Sequence, residues 1–222
     1  MQTENGFFST SVGKKIIMAI SGIFLMIFLV IHLFGNLFLF VGEEAFNSYV
    51  ENLDKIKPLI RVIEIVLALG FIYHIYNGIF LTLKNFSSSG FKRYEIKEKS
   101  PEVSWTSRSM YISAAVIFFF LVVHLSHFWY NFNLVDIKKD YYNFVVSSFH
   151  NFWYSALYVF SVLFLGFHLY HGFESSFQSL GLNHKKYTPY IVMFGKLYSI
   201  AITIGFASIP IYFYLISIIG GK

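Results

Sequence analysis

Three observations predict an all-α integral membrane fold with five transmembrane helices. The 222-residue chain is 56% hydrophobic, 21% aromatic and only 13% charged, too apolar for a water-soluble domain of this size. Its apolar residues gather into five runs, each long enough to cross a hydrocarbon core of about 30 Å. The polar and basic residues collect between those runs, so the net charge of +5 fits membrane orientation better than a nucleic-acid surface.

Taken in order, Lys14 and Lys15 precede the first run, Ile16 to Val41. It is too long for the apolar part of a signal peptide and is followed by no small-residue cleavage site, so it is expected to stay attached as a spanning helix. It carries His32 and, one turn on, Asn36. Glu43–Lys57 is polar with Phe46, Tyr49, Val50 and Leu53 at helical spacing, which predicts an amphipathic helix lying at the interface. Pro58 opens the second run, with Arg61, Glu64 and His74. Lys84–Arg108 is the most basic stretch and is expected as a loop, with Ser87-Ser-Ser-Gly90 breaking any helix. The third run carries His124 and His127. Asn133–Asn151, with Lys138, Lys139, Asp140 and His150, reads as another polar loop. The fourth run carries His168 and His171, and a loop with His184, Lys185 and Lys186 leads to the fifth, which has no histidine and is expected to kink at Pro210. The expectation is one transmembrane domain over 1–222 with spans near 14–41, 58–84, 108–132, 152–178 and 190–219.

Five spans put the termini on opposite sides. With the N-terminus inside, the inner segments hold Lys14, Lys15, Lys84, Lys92, Arg93, Lys97, Lys99, Arg108, Lys185 and Lys186. The outer ones hold Lys55, Lys57, Lys138, Lys139 and Lys222. The positive-inside rule therefore places the N-terminus in the cytoplasm and the C-terminus outside.

Cysteine is absent, which excludes disulfides, thiolate metal sites, cysteine-held clusters and C-x-x-C-H haem attachment. Histidines within a bilayer are costly and usually functional. At about 1.5 Å per residue, His32 and His124 both lie roughly 25 Å from the inner boundary, whereas His74 and His168, on helices entering from outside, lie in the inner part of the core. The two levels differ by roughly 15–18 Å. Two haems stacked across the membrane, each iron held by two imidazoles from facing helices, would account for an outer pair, His32 with His124, and an inner pair, His74 with His168. A lone buried histidine is as readily a packed core residue or a proton relay; four in depth-matched pairs are harder to explain that way. The depths are good to about one turn, which leaves His127 as an alternative to His124 and His171 to His168. Gly35-Asn36 and Gly172 would let a flat macrocycle approach the backbone, and serve equally well as helix-packing positions.

Four stretches, Gly22-Ile-Phe-Leu…His32-Leu-Phe-Gly-Asn36, Arg61-Val-Ile-Glu-Ile…His74, Thr106-Ser-Arg-Ser-Met110…His124 and Phe167-His168-Leu-Tyr-His171-Gly172…Ser176-Phe-Gln178, resemble in order the di-haem cytochrome b membrane anchor of succinate:quinone oxidoreductases (succinate dehydrogenase and fumarate reductase), in the variety with a single five-helix anchor. The resemblance implies two b haems, with His32, His74, His124 and His168 as iron ligands, one on each of the first four spans, which would bundle around the stacked haems. It implies an electron carrier in a bacterial inner membrane and not the site of succinate chemistry. A flavoprotein subunit and an iron–sulfur subunit would bind the cytoplasmic face, at Lys84–Arg108 and Gly181–Tyr190, although those charges serve topology as well. Electrons would pass from the partner's cluster to the inner haem, the outer haem and a quinone, typically menaquinone, with the reverse flow serving fumarate reduction. Arg61, Arg93, Arg108 and Lys196 are candidate propionate partners. Glu43, Glu44, Glu51, Asp54 and Glu64 are candidates for a quinone site, with an ion pair to Arg61 the alternative role of Glu64. Competing readings are a di-haem cytochrome b of a formate dehydrogenase or hydrogenase, and a transporter or channel that uses the histidines without haem.

Overall fold

In the computed structural model, which describes residues 10–88, 101–135 and 140–220, the first apolar run is one unbroken helix, α1 (Ser11–Val41). Thr10 caps it, its hydroxyl accepting from the Gly13 N–H at 3.0 Å. Gly42 ends it at φ 126, a conformation that side chains rarely adopt, and turns the chain directly into α2 (Glu43–Lys55). This is the expected amphipathic helix, with Glu43 and Glu44 in its first turn, Lys55 in its last and Phe46 buried.

Helix α3 (Lys57–Ser88) begins with Pro58 in its first turn, where the missing N–H costs nothing. Helix α4 (Pro101–His124) passes through a π-turn, Leu125–Trp129, into a last short piece, α5 (Tyr130–Leu134). Asp140 caps α6 (Tyr141–Phe149) and Asn151 caps α7 (Phe152–Ser179), each side chain accepting from a backbone N–H three residues on. Gly181, at φ 72, opens the exit toward α8 (Thr188–Gly220). Pro210 lies fully buried within α8, and the helix continues past it.

Two expected loops are corrected. Asn133–Asn151 contains α6, whose Tyr141, Val145 and Phe149 form a buried stripe one turn apart and join Leu39, Phe46, Tyr158, Ile209 and Phe213 in one apolar cluster. Lys84–Arg108 is helical at both ends: α3 runs on through Ser87 and Ser88, and α4 starts at Pro101. Its Lys92, Arg93, Lys97 and Lys99, like Lys138 and Lys139 of the other connection, lie outside the described residues.

Among the described residues, five helices are long and apolar enough to cross a membrane: Ser11–Val41, Lys57–Lys84, Met110–Leu134, Phe152–Ser179 and Thr188–Gly220. The protein is an all-helical, multi-pass membrane protein. Helices α1 and α7 are central: α3 packs on α1, α4 on α7, and α8 lies against both. The outward faces carry large apolar residues such as Ile72, Phe119 and Ile204, as a lipid-facing surface requires. Helices α2 and α6 meet across one end, where the Tyr141 hydroxyl donates to Asp54 Oδ2 at 3.0 Å and the Tyr142 N–H to Asn47 Oδ1 at 2.9 Å. That end is roofed by two short helices.

Candidate functional site

The bundle brings the four expected histidines together in two pairs. Near the roofed end, His32 of α1 faces His124, the last residue of α4, with ring centroids 5.8 Å apart and planes at 89°. Toward the other end, His74 of α3 faces His168 of α7 at 6.2 Å and 72°. With metal–nitrogen bonds of about 2 Å, two imidazoles ligating one metal from opposite sides have ring centroids about 6 Å apart. The residues at each level therefore fit a haem iron, which the two imidazoles would hold between them.

The ring hydrogen bonds bear on the same fit. Ser21 Oγ, on α1, lies 3.2 Å from His74 Nδ1 and donates to the Met18 carbonyl at 3.1 Å. Ser113 Oγ, on α4, lies 3.3 Å from His168 Nδ1 and donates to the Met110 carbonyl at 2.9 Å. A hydroxyl has one proton. With that proton on a carbonyl, each serine accepts from the imidazole Nδ1–H, and Nε2 is left with the lone pair a metal needs. Among the described residues the His168 ring has no hydrogen-bond partner besides Ser113, whereas the His74 ring also lies within hydrogen-bond reach of the Met18 backbone. Gly22 makes room for the inner pair, since a Cβ there would stand 3.3 Å from His74 Cε1.

The other pair is set among aromatic rings. Phe28 stacks on His32 at 5.2 Å, and Phe206 of α8 approaches it at 5.6 Å. Phe120 and Phe128 flank His124, each at 5.5 Å. The Tyr158 hydroxyl lies 3.1 Å from His124 Nδ1 and 3.0 Å from the Tyr154 hydroxyl. Between the two levels, on the same stripe of α7 as Tyr158 and His168, Ser161 is buried with its hydroxyl unpartnered among the described residues.

The remaining histidines go elsewhere. The π-turn carries His127 toward α6, where its Nε2 meets Ser148 Oγ at 2.9 Å and its ring stacks on Phe144 at 5.1 Å. His171, half-buried, contacts Tyr170. His150 caps α6, and the His184 ring nitrogen accepts from the Lys186 N–H in the turn before α8. Gly35 is a helix-packing position, because a Cβ there would lie 2.5 Å from the Tyr49 hydroxyl. Gly172 faces Met26 at ordinary contact distance.

Glu64 is taken up by its neighbours. It pairs with Arg61 at 2.6 Å, and Trp129 Nε1 donates to its other oxygen at 3.2 Å. Asp54 is held by Tyr141 and Lys57, while Glu43, Glu44 and Glu51 are exposed on α2. Of the propionate candidates, Arg61 is thus occupied and Lys196 is exposed on α8. Arg93 and the Arg108 side chain lie outside the described residues.

Sequence reasoning missed Ser21, Ser113, Tyr158 and the π-turn. The signal for the serines was a repeat within the chain. Met18-Ala-Ile-Ser21 precedes Phe28-Leu-Val-Ile-His32-Leu33, and Met110-Tyr-Ile-Ser113 precedes Phe120-Leu-Val-Val-His124-Leu125, at identical spacing. The second helices of the two halves repeat as well, His74-Ile-Tyr-Asn-Gly78 beside His168-Leu-Tyr-His-Gly172.

A family model described as succinate dehydrogenase/fumarate reductase transmembrane subunit matches residues 10–101 and 92–204. No curated protein and no solved structure matches the chain significantly.

Proposed function

The chain belongs to the family of succinate dehydrogenase/fumarate reductase transmembrane subunits, and from that premise we propose that it anchors such a complex and carries its electrons across the membrane on two b haems. His74 and His168 would hold the inner haem and His32 and His124 the outer one. Each haem iron, once bound, supplies reversible one-electron chemistry. The single observation that carries the reading is the meeting of four histidines from four helices as two facing pairs.

The chain's own part is to hold, orient and shield. Helices α1 and α4 give one histidine each to the outer level, α3 and α7 one each to the inner, so both levels are fixed by the same packing. Serine and tyrosine hydroxyls at Nδ1 would set which nitrogen of His74, His168 and His124 faces the metal. Phe28, Phe120, Phe128 and Phe206 keep water from the outer pair. A flavoprotein subunit and an iron–sulfur subunit would dock on the cytoplasmic side, at the end opposite α2 and α6, where Lys185 and Lys186 are exposed. A quinone, menaquinone by family resemblance, would exchange electrons near the outer pair. The N-terminus then lies in the cytoplasm and the C-terminus outside, in a bacterial inner membrane.

The test is a dithionite-reduced minus oxidised spectrum of the purified protein with a haem assay. A b-type α-band and about two haems per chain are expected. A chain without that band would overturn the reading in favour of a membrane protein that uses these histidines without haem.

A further inference from the structure

We propose that Ser21 and Ser113 are positioning residues for the inner pair, each fixing the rotation and tautomer of one imidazole and making it a stronger donor to the metal. The inference rests on the haem reading above and goes beyond it, to what sets the electronic character of one of the two centres.

Four observations carry it. Each serine hydroxyl sends its proton to the carbonyl of a methionine three residues earlier, Met18 or Met110, and is left to accept at the side that meets Nδ1. A hydroxyl already donating is the better acceptor, because hydrogen bonds in a chain polarise one another. The two serines approach from different helices, Ser21 of α1 on His74 and Ser113 of α4 on His168, so each holds its ring independently at the observed 72° crossing. Ser113 is buried, 2% exposed, where an unpaired ring N–H would be penalised. Finally, the Met-x-Ile-Ser stretch recurs in both halves at the same distance from the next histidine, which gives the inner pair equivalent partners on both sides. The outer pair has no such equivalence: His124 meets Tyr158, and the His32 ring has no hydrogen bond among the described residues.

The chemistry follows from the direction of the bond. An imidazole whose Nδ1–H leans on an acceptor carries more electron density at Nε2. That favours the ferric over the ferrous state of a bound haem. Removing the acceptor should therefore make the inner haem easier to reduce, with no change in ligand, ligand number or overall charge.

The experiment uses the assembled membrane complex. Ser21→Ala and Ser113→Ala are compared with wild type and with Ser21→Thr and Ser113→Thr by spectroelectrochemical titration and by low-temperature EPR of the ferric haems. Each alanine variant should raise the ratio of reduced to oxidised inner haem at a fixed potential by about three- to tenfold, the range of one hydrogen bond; tenfold is ~59 mV for one electron. The inner ferric signal should shift with it, the outer haem should not move, and threonine should restore both readouts. An alanine variant with an unmoved inner haem, or a shift that threonine fails to reverse, would overturn the proposal. If one alanine variant does not assemble, the other decides, because both hydroxyls carry the same expectation. Failure of the haem reading itself is seen separately, as a wild-type protein without a b-type band.

Discussion

At the roofed end of the bundle, His32 and His124 sit among Phe28, Phe120, Phe128, Phe206 and Tyr158, beneath α2 and α6. At the other level, His74 and His168 are met by two serines and by the bare backbone of Gly22. The ring-to-ring geometry is nearly the same, 5.8 Å against 6.2 Å, so the difference lies in what surrounds the rings. Large apolar side chains orient the outer pair by contact and exclude water. Small hydroxyls orient the inner pair through directed hydrogen bonds and fill little space. One bundle thus offers two histidine pairs of like ring geometry and unlike surroundings; were each to hold the same cofactor, those surroundings would make the two electronically different.

The largest expected effect comes from replacing the paired histidines. His74→Ala or His168→Ala should halve the haem content and remove the inner centre's signal, and His32→Ala or His124→Ala should do the same to the outer, as read by pyridine haemochrome assay and EPR. If His168→Ala kept both haems while His171→Ala lost one, the assignment on α7 would be wrong. Next is Gly35→Ala, which drives a Cβ into the Tyr49 ring and should cost about 1–3 kcal/mol. A lower thermal midpoint in detergent and disturbance of the outer centre alone are expected; equal disturbance of both would contradict the separation of the two levels. Tyr158→Phe removes the partner of His124 Nδ1; both haems should be retained, with the outer potential moved by about one hydrogen bond's worth, ~1 kcal/mol, in a spectroelectrochemical titration and the inner untouched. The smallest effect is that of Glu64→Gln. Its pair with Arg61 is partly exposed, 36% and 28%, so stability should change by about 1 kcal/mol or less. A collapse of the fold would mean that the cluster with Trp129 does more than tie α3 to the π-turn.

Much of this arrangement was legible before any coordinates. A helix rises a fixed distance per residue, so the positions of His32, His74, His124 and His168 within their runs translate directly into two depths. What stayed hidden depends on partners far along the chain. Helix α6 is nine residues long, and its stripe of Tyr141, Val145 and Phe149 is interrupted by Asn143, Ser147 and Ser148, which read as loop. The π-turn has no local mark in Leu125-Ser-His-Phe-Trp129, yet it sends His127 to Ser148 and away from the His32–His124 pair. Ser21 and Ser113 look like unremarked small residues in apolar helices until the two halves of the chain are laid side by side. The glycines divide along the same line: Gly22 belongs to the inner pair, and Gly35 turned out to seat the roof.

The claim that four histidines act as two pairs by level is tested most directly by the haem content of double variants. His74→Ala with His168→Ala, and His32→Ala with His124→Ala, should each retain one haem per chain. His74→Ala with His32→Ala, one from each level, should retain none. One haem kept in that cross-level variant, or none in a same-level one, would contradict the pairing.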